Sequence, residues 1–315
     1  MISVTDRSAL VIWGEPGVIR LLGTPAAEPW EWSTTSEDVL DEQVLRASRL
    51  EATDARPLHV LVDSAAHRIR SARVVCHVWS APLPADALYQ LTPRVLLASP
   101  LFCLQGMAAR RDLVEGTAIG MEVCGSYARV PGTEDGFRRR APLASPDELL
   151  KDLAGNHGYG AKRARAVLAR VVPGSRSPME TVVVLLFTLP VSLGGCGLPA
   201  PRLNVRIEIP PDLQAALGKP YVVVDLCWYD QRIILEYDSY RWHTTPSAVD
   251  ADSSRNEGLR DIGWMVRSVT AGILKNDAMR RHLVGRVMER FGRRLPEGAA
   301  FDQLQSHLVR KLLRA

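Results

Sequence analysis

No stretch of this sequence stays apolar for long enough to cross a membrane. A spanning helix needs about 20 apolar residues, and the best run, Val182 to Leu189, is far shorter and stops at Pro190. The opening MISVTDRSAL lacks a basic segment followed by an apolar one, so no export signal is read there. Cysteine is scarce: Cys76, Cys103, Cys124, Cys196 and Cys227 are scattered and odd in number, with no Cys-x-x-Cys pair. That pattern excludes a disulfide scaffold and points away from zinc for want of paired ligands. It fits a reduced, cytoplasmic chain with small buried thiols. Compositional bias is missing too. With 46% hydrophobic and 23% charged residues, neither wholesale disorder nor a collagen-like repeat is possible. At about 150 residues per domain, the 315 residues suggest two domains.

Net charge is small, +4, but unevenly placed. Residues 279–315 carry eight Arg and one Lys against Glu289, Glu297 and Asp302, a local net of +6, which leaves −2 for the rest of the chain. Arg280, Arg281, Arg286, Arg290, Arg293 and Arg294 cluster there and could neutralise phosphates if they share a face. The bland alternative is a solvated helix face.

The pattern along the chain predicts an α+β protein. Residues 1–57 resist assignment. Ala9 to Trp13 and Val18 to Leu22 read as two short strands around Gly14-Glu15-Pro16-Gly17, and Glu37 to Glu51 has roughly helical spacing. Residues 58–146 read as a smaller α+β domain, with strands at Leu58–Val62 and Arg73–Trp79 and helices between Pro100 and Tyr127. The domain ends in a Gly-, Pro- and charge-rich linker, Gly132 to Pro146. Residues 147–176 form a helical connector broken near Gly155 to Gly160. The last domain, 177–315, opens on Ser177-Pro178-Met179-Glu180, a helix-start signature. Strands follow at Leu203–Ile209, Tyr221–Cys227 and Arg232–Tyr237. Then come a helix at Asp252–Ile262, a strand at Met265–Val269 and a basic helix at Asp277–Phe291.

Within that last block, acids stand where strand propensity disfavours them. Asp225 interrupts Tyr-Val-Val-Val-Asp-Leu-Cys-Trp, Glu236 ends Ile-Ile-Leu-Glu, and Asp238 lies two residues on, hence on the same face of an extended chain. Buried carboxylates are costly unless paired or metal-bound. If the two strands form a hairpin, Asp225 and Glu236 fall side by side near one end. A hard, oxygen-preferring cation such as Mg²⁺ would relieve their repulsion, polarise a phosphodiester and lower the pKa of a bound water. His243 could act as general base or help the leaving group. Simpler roles remain open: Glu180 as a capping-box glutamate, Asp230 as a turn residue, Glu208 as a solvent-facing strand residue, and His243 as a structural histidine.

The series Ser177-Pro178-Met179-Glu180, Val224-Asp225-Leu226, Leu235-Glu236-Tyr237-Asp238, His243, Asp252-x-x-Arg255 and Gly263-Trp264-x-Val266-x-x-Val269-Thr270 resembles a known family. It is similar to the restriction-endonuclease-like nucleases of the PD-(D/E)xK superfamily related to very-short-patch repair endonuclease. The resemblance covers about residues 175–280 and rests on the order and spacing of five motifs. It implies a mixed central sheet flanked by helices. Asp225 and Glu236 would be ligands for Mg²⁺ or Mn²⁺, Glu180 would hold a water or second ion, and Asp238 and His243 would occupy the remaining motif positions. Two departures stand out. Ser239 replaces the family's glycine, and Asp238 sits where the superfamily's lysine would be. Arg255 could supply that positive charge from the helix, with Lys219 a weaker substitute. Residues 58–130 loosely resemble the region preceding such a domain in AbiEi-type antitoxin relatives, through His59-Val60-Leu61-Val62, Val74-x-x-His77 and Ala98-Ser99-Pro100. The resemblance implies a metal-dependent endonuclease acting on DNA. A catalytically degenerate fold serving as an antitoxin-like or regulatory DNA-binding module is the alternative. A structural protein-interaction partner, resting on the unassigned first 57 residues, is a third reading, and a homo-oligomer stays open.

Overall fold

The computed structural model describes residues 1–26, 34–36, 39, 41–238 and 246–314, without the side chains of 215–217 and 246–253. The chain is a mixed α/β protein that divides into two compact units. One comprises residues 1–123 and 127–169, the other 124–126 and 170–315.

The first unit is built on a mixed five-stranded sheet of order β3-β2-β1-β5-β4. Its strands are β1 (Ile2–Val4), β2 (Leu58–Val62), β3 (Val74–Val78), β4 (Leu88–Thr92) and β5 (Val95–Ala98). Strand β1 runs antiparallel to β2 and parallel to β5, while β2 and β3 are parallel. The N-terminal segment thus supplies the central strand of a sheet whose other members lie beyond the boundary expected after Pro57. Residues 9–13 are helical rather than extended and belong to α1 (Asp6–Trp13). A short apolar run has no period that separates helix from buried strand. Tertiary packing decides here: Ala9, Leu10, Ile12 and Trp13 are buried, and Trp13 Nε1 donates to Ala98 O at 2.9 Å. Val18–Leu21 is likewise a 3-10 turn, not a strand. Of the helix read over 37–51, residues Glu42–Ala47 form α2, capped by Asp41, which accepts from Gln43 N and Val44 N.

Helices α3 (Pro100–Arg110) and α4 (Leu113–Val123) follow, the first capped by Ser99 with proline in its first turn. The expected linker 132–146 is structured in part. Strand β7 (Phe137–Arg139) pairs with β6 (Tyr127–Arg129), and Arg138 Nη1 meets Glu15 Oε1 at 2.5 Å. Then come α5 (Pro146–Asp152), with a complete Ser145/Glu148 capping box, and α6 (Ala161–Leu168). Gly160 separates them at φ +81°, and a Cβ there would lie 2.4 Å from Gln105 O, so no other residue fits.

In the second unit, α7 (Pro178–Thr188) starts where the sequence places it: Ser177 Oγ accepts from Glu180 N at 3.1 Å. The sheet has order β11-β10-β9-β8, with β8 (Arg202–Glu208), β9 (Tyr221–Trp228), β10 (Ile233–Tyr237) and β11 (Met265–Val269). The first three are antiparallel. Strands β10 and β11 are parallel and therefore need a crossover, which α9 (Pro246–Asp261) provides. Ile207, Val222, Val224, Ile234, Val266 and Leu259 pack into one apolar cluster between sheet and helix. Three helices escaped the sequence reading: α8 (Pro211–Leu217), α10 (Ala271–Lys275) and α12 (Ala299–Leu312). Helix α11 (Asp277–Arg290) matches the basic helix. The excursion 124–126 is tied in by Ser126 N to Ser175 O at 2.7 Å and Gly174 N to Cys124 O at 3.4 Å. Among the described residues no helix is long and apolar enough to cross a membrane.

Candidate functional sites

The hairpin pairs Trp228 with Ile233, Cys227 with Ile234 and Leu226 with Leu235. One further step in that register sets Asp225 opposite Glu236. Their carboxylates interlock with the backbone at the end of the ladder. Tyr237 N donates to Asp225 Oδ2 at 2.8 Å, and Asp225 N approaches Glu236 Oε2 at 3.4 Å. Glu236 is buried, and its Oε1 has no hydrogen-bond partner among the described residues. The Arg255 guanidinium, reaching from α9, comes to 3.4 Å from that oxygen.

Burial and mutual repulsion act together on this pair. The Asp225 carboxyl is pushed well above the ordinary carboxylate range, first by loss of water and then by the neighbouring Glu180 charge; Tyr237 N and Arg255 offset part of this, and Asp238 adds to it. Glu236 is pushed up as well, by burial and then by Asp225, with Arg255 opposing. Glu180 keeps its cap position but points its carboxylate onward, accepting at Oε2 from Arg176 N and from Asn204 Nδ2, both at 2.9 Å. The capping box is therefore only half made: Ser177 serves Glu180 N, while the Glu180 side chain holds Asn204. Asn204 adopts φ +51°, a left-handed conformation that asparagine tolerates better than most residues. Its amide also donates to Gly174 O at 2.9 Å. Sequence reasoning missed Asn204; an asparagine inside a strand pattern was the available signal.

The structure thus gathers Glu180, Asp225, Glu236, Asp238 and Arg255 at one end of the sheet. His243 and Ser239 lie outside the described residues. The charged oxygens suit a hard divalent cation held by one or two carboxylates and completed by water. Glu236 Oε1, approached by the Arg255 guanidinium but without a hydrogen bond among the described residues, is the atom such an ion would reach.

The first four of the six arginines proposed for nucleic acid separate sharply. Arg280 cannot serve: it is buried, and its guanidinium donates to Leu274 O (2.8 Å), Asp277 Oδ1 (2.9 Å), Ser306 Oγ (2.7 Å) and Gln305 Oε1 (3.3 Å). A buried side chain that spends four of its five N–H groups inside the protein is closed to a phosphate. Arg281 is paired with Asp302, and Arg286 with Glu289 at 2.7 Å, both from exposed positions. Arg290 is exposed.

A second constellation, unforeseen as a site, lies in the first unit. Asp6, His59 and His77 each offer a ligand atom, all within 4.8 Å of one another, the one such group of three among the described residues. His59 and His77 stand two residues apart in the parallel register of β2 and β3, so their rings share a face and stack with centroids 5.1 Å apart. His59 Nδ1 and His77 Nε2 are 2.9 Å apart. Asp6 Oδ1 is 3.7 Å from His59 Nδ1, and Oδ2 is 3.6 Å from His77 Nε2. Thr5 N donates to His59 O at 3.0 Å, which brings the start of α1 against β2. The three side chains come from widely separated stretches of the chain, a spacing that carries no motif.

No protein-family model matches the chain, and no solved structure matches it. Two curated proteins of Mycobacterium tuberculosis, named uncharacterized protein Rv2248 and uncharacterized protein MT2308, are similar over part of it. Each is 31% identical over 99 residues, which is 31% of this chain and 32% of the relative. The matched stretch therefore spans about a third of those relatives, and their names state no activity.

Proposed function

We propose that the second unit is a restriction-endonuclease-like, metal-dependent phosphodiesterase acting on DNA. The observation that carries this reading is the meeting of half-buried Asp225 and buried Glu236 on adjacent strands, both pushed toward protonation by burial and by neighbouring acids, with Glu236 Oε1 left without a hydrogen bond among the described residues. Those two carboxylates would hold Mg²⁺ or Mn²⁺, and Glu180, fixed by Asn204 and Arg176, would orient a water beside them. When bound, such an ion supplies Lewis-acid polarisation of the phosphodiester and a more acidic water. Arg255 stands beside Glu236 and is placed to meet a phosphate oxygen. His243, by its position in the motif, would handle a proton on the nucleophile or leaving group.

The test is cleavage of supercoiled and linear DNA by the full chain with Mg²⁺ or Mn²⁺, set against Asp225→Asn and Glu236→Gln variants whose folding is checked by circular dichroism. Loss of cleavage in both folded variants supports the reading. Undiminished cleavage in them, or none by the wild type with either ion, overturns it.

One observation favours a second reading, a degenerate fold that binds DNA without cutting it. Arg255 already places a positive charge at the carboxylates, so the unit can persist without an ion. That reading expects salt-sensitive DNA binding that survives EDTA. Absence of any mobility shift at low salt would exclude it.

A further inference from the structure

The geometry points to a second metal centre: Asp6, His59 and His77 form a divalent transition-metal site of the zinc class, with one coordination position open. Three separate features support it. The first is shape. Four-coordinate zinc with bonds of about 2.0–2.1 Å places its ligand atoms roughly 3.3–3.4 Å apart. Here the two ring nitrogens are 2.9 Å apart and each faces its own oxygen of Asp6, at 3.7 Å for His59 and 3.6 Å for His77, so that one atom from each residue lies within 4.8 Å of the others. A small turn of the carboxylate and opening of the two rings would make the set regular.

The second feature is how the acid is held. Asp6 takes φ +54°, a left-handed conformation more usual for glycine, at the first residue of α1. Strain of this kind persists where the surroundings enforce it. They do so here. Arg7 N donates to Oδ1 at 2.7 Å and Arg110 Nη2 to Oδ2 at 2.5 Å. Each carboxylate oxygen is thereby fixed, with a further lone pair free to face the rings. Hydrogen-bonded carboxylates are the usual form of metal-ligating ones. Arg110 reaches in from a side chain that is 35% exposed, so water screens its charge more than that of the buried acid.

The third feature is ligand chemistry. The facing nitrogens of His59 and His77 share one hydrogen bond, so at least one of them presents a bare lone pair, as a metal ligand must. Neutral imidazole is the ligand form. The His59–His77 hydrogen bond needs one proton on one of the two facing nitrogens. On metal binding that ring carries its proton on its other nitrogen instead, so the tautomer changes and no net proton is released. Two imidazoles and one carboxylate select zinc, iron or a related transition ion over Mg²⁺, which prefers oxygen. Three protein ligands leave a fourth position for water or substrate, the arrangement of a reactive rather than a closed structural site. The exposures of His59 and His77, 18% and 11%, leave an approach to it.

The test uses the tag-free full chain in an Asp225→Asn/Glu236→Gln background, so that ions held by the acidic cluster are not counted. The protein is stripped with chelator, dialysed against Zn²⁺ or, anaerobically, Fe²⁺, and assayed by elemental mass spectrometry and titration calorimetry. His77→Phe, which keeps a ring against His59, and His59→Ala are compared after confirming by circular dichroism that they fold. The expectation is one equivalent of zinc or iron in the parent. Affinity should fall by about a hundredfold or more in both variants, since even outer partners of ligands are worth 10- to 100-fold. Excess Mg²⁺ should not displace the ion. No bound ion in the parent, one equivalent retained by both variants, or displacement by Mg²⁺ would each overturn the site. None of these outcomes bears on the acidic cluster, which the background removes.

Discussion

The two constellations meet the same physical force and respond in opposite ways. Burial disfavours whatever is charged. At His59 and His77 it favours the neutral imidazole, which also suits the hydrogen bond between them. At Asp225 and Glu236 it favours protonation, and the neighbouring acids add to the difficulty. The first cluster is thus nearly self-sufficient as it stands, with the Asp6 charge met by Arg110. The second holds at least two acids against a single described arginine contact and stays uncomfortable until a cation or protons arrive. One chain thus holds a cluster whose charge is already met and another whose acids are opposed by burial and by each other.

The sharpest way to break this contrast is at Glu236. Replacing it by glutamine removes one charge while keeping the shape, and Mg²⁺-dependent cleavage should drop by about two to three orders of magnitude, the scale of losing one transition-state electrostatic contact. Plasmid nicking rates measure this, and a fall of less than about tenfold would leave Asp225 as the principal ligand. The next effect is structural. Arg280, hydrogen-bonded through four N–H groups inside the second unit, is the case in which the fold has already met a buried charge. Arg280→Ala should destabilise that unit by about 2–4 kcal/mol in urea unfolding, through the buried acceptors left unpaired and the space left behind, whereas Arg290→Ala at the exposed end of the same helix should stay within about 0.5 kcal/mol. Smaller again is Asp6→Asn, which tolerates the left-handed backbone but leaves Arg110 without its anion. About 1–3 kcal/mol should be lost from the first unit, seen as faster hydrogen exchange in β1 and β2.

The pH dependence should run in opposite directions in the two units. The Asp225 and Glu236 pKa values are raised on folding, so their favourable contribution is complete below the ordinary carboxylate value of about 4 and is lost as pH climbs toward neutrality. Those of His59 and His77 are depressed, so theirs is present above about 6.5 and is lost as pH falls, for His77 toward about 4. Hydrogen exchange in EDTA at several pH values should show the second unit loosening with alkali and the first with acid. Added Mg²⁺ should flatten the former slope only. Parallel slopes in both units would contradict the contrast.

Much of the second unit was legible because its signals are local. Ser177 and Pro178 mark a helix start, Met265–Val269 is a strand by its own composition, and acids inside Tyr221–Cys227 and Arg232–Tyr237 stand out against apolar neighbours. The first unit hid its logic at long range. Its central strand, Ile2–Val4, is very short and pairs with segments far along the chain, around Val60 and Leu96. Ala9–Trp13 looked extended because apolar residues on every side carry no period. The Gly132–Pro146 stretch looked like linker because a strand as brief as Phe137–Arg139 is invisible without its partner. Arg280 looked available because charge in a sequence says nothing of Asp277, Gln305 and Ser306 closing around it. The Asp6–His59–His77 triangle exists only once strand register is set, and two histidines in neighbouring strand candidates were its one visible trace.

The brief detour at 124–126 has a bearing on modular exchange. Because that tripeptide belongs with 170–315, the polypeptide changes allegiance three times rather than once. A fragment begun at Arg170 would leave the Ser175 carbonyl without the amide of Ser126. Transplanting either half onto another scaffold therefore calls for a split stitch, with the tripeptide carried along, rather than a single cut.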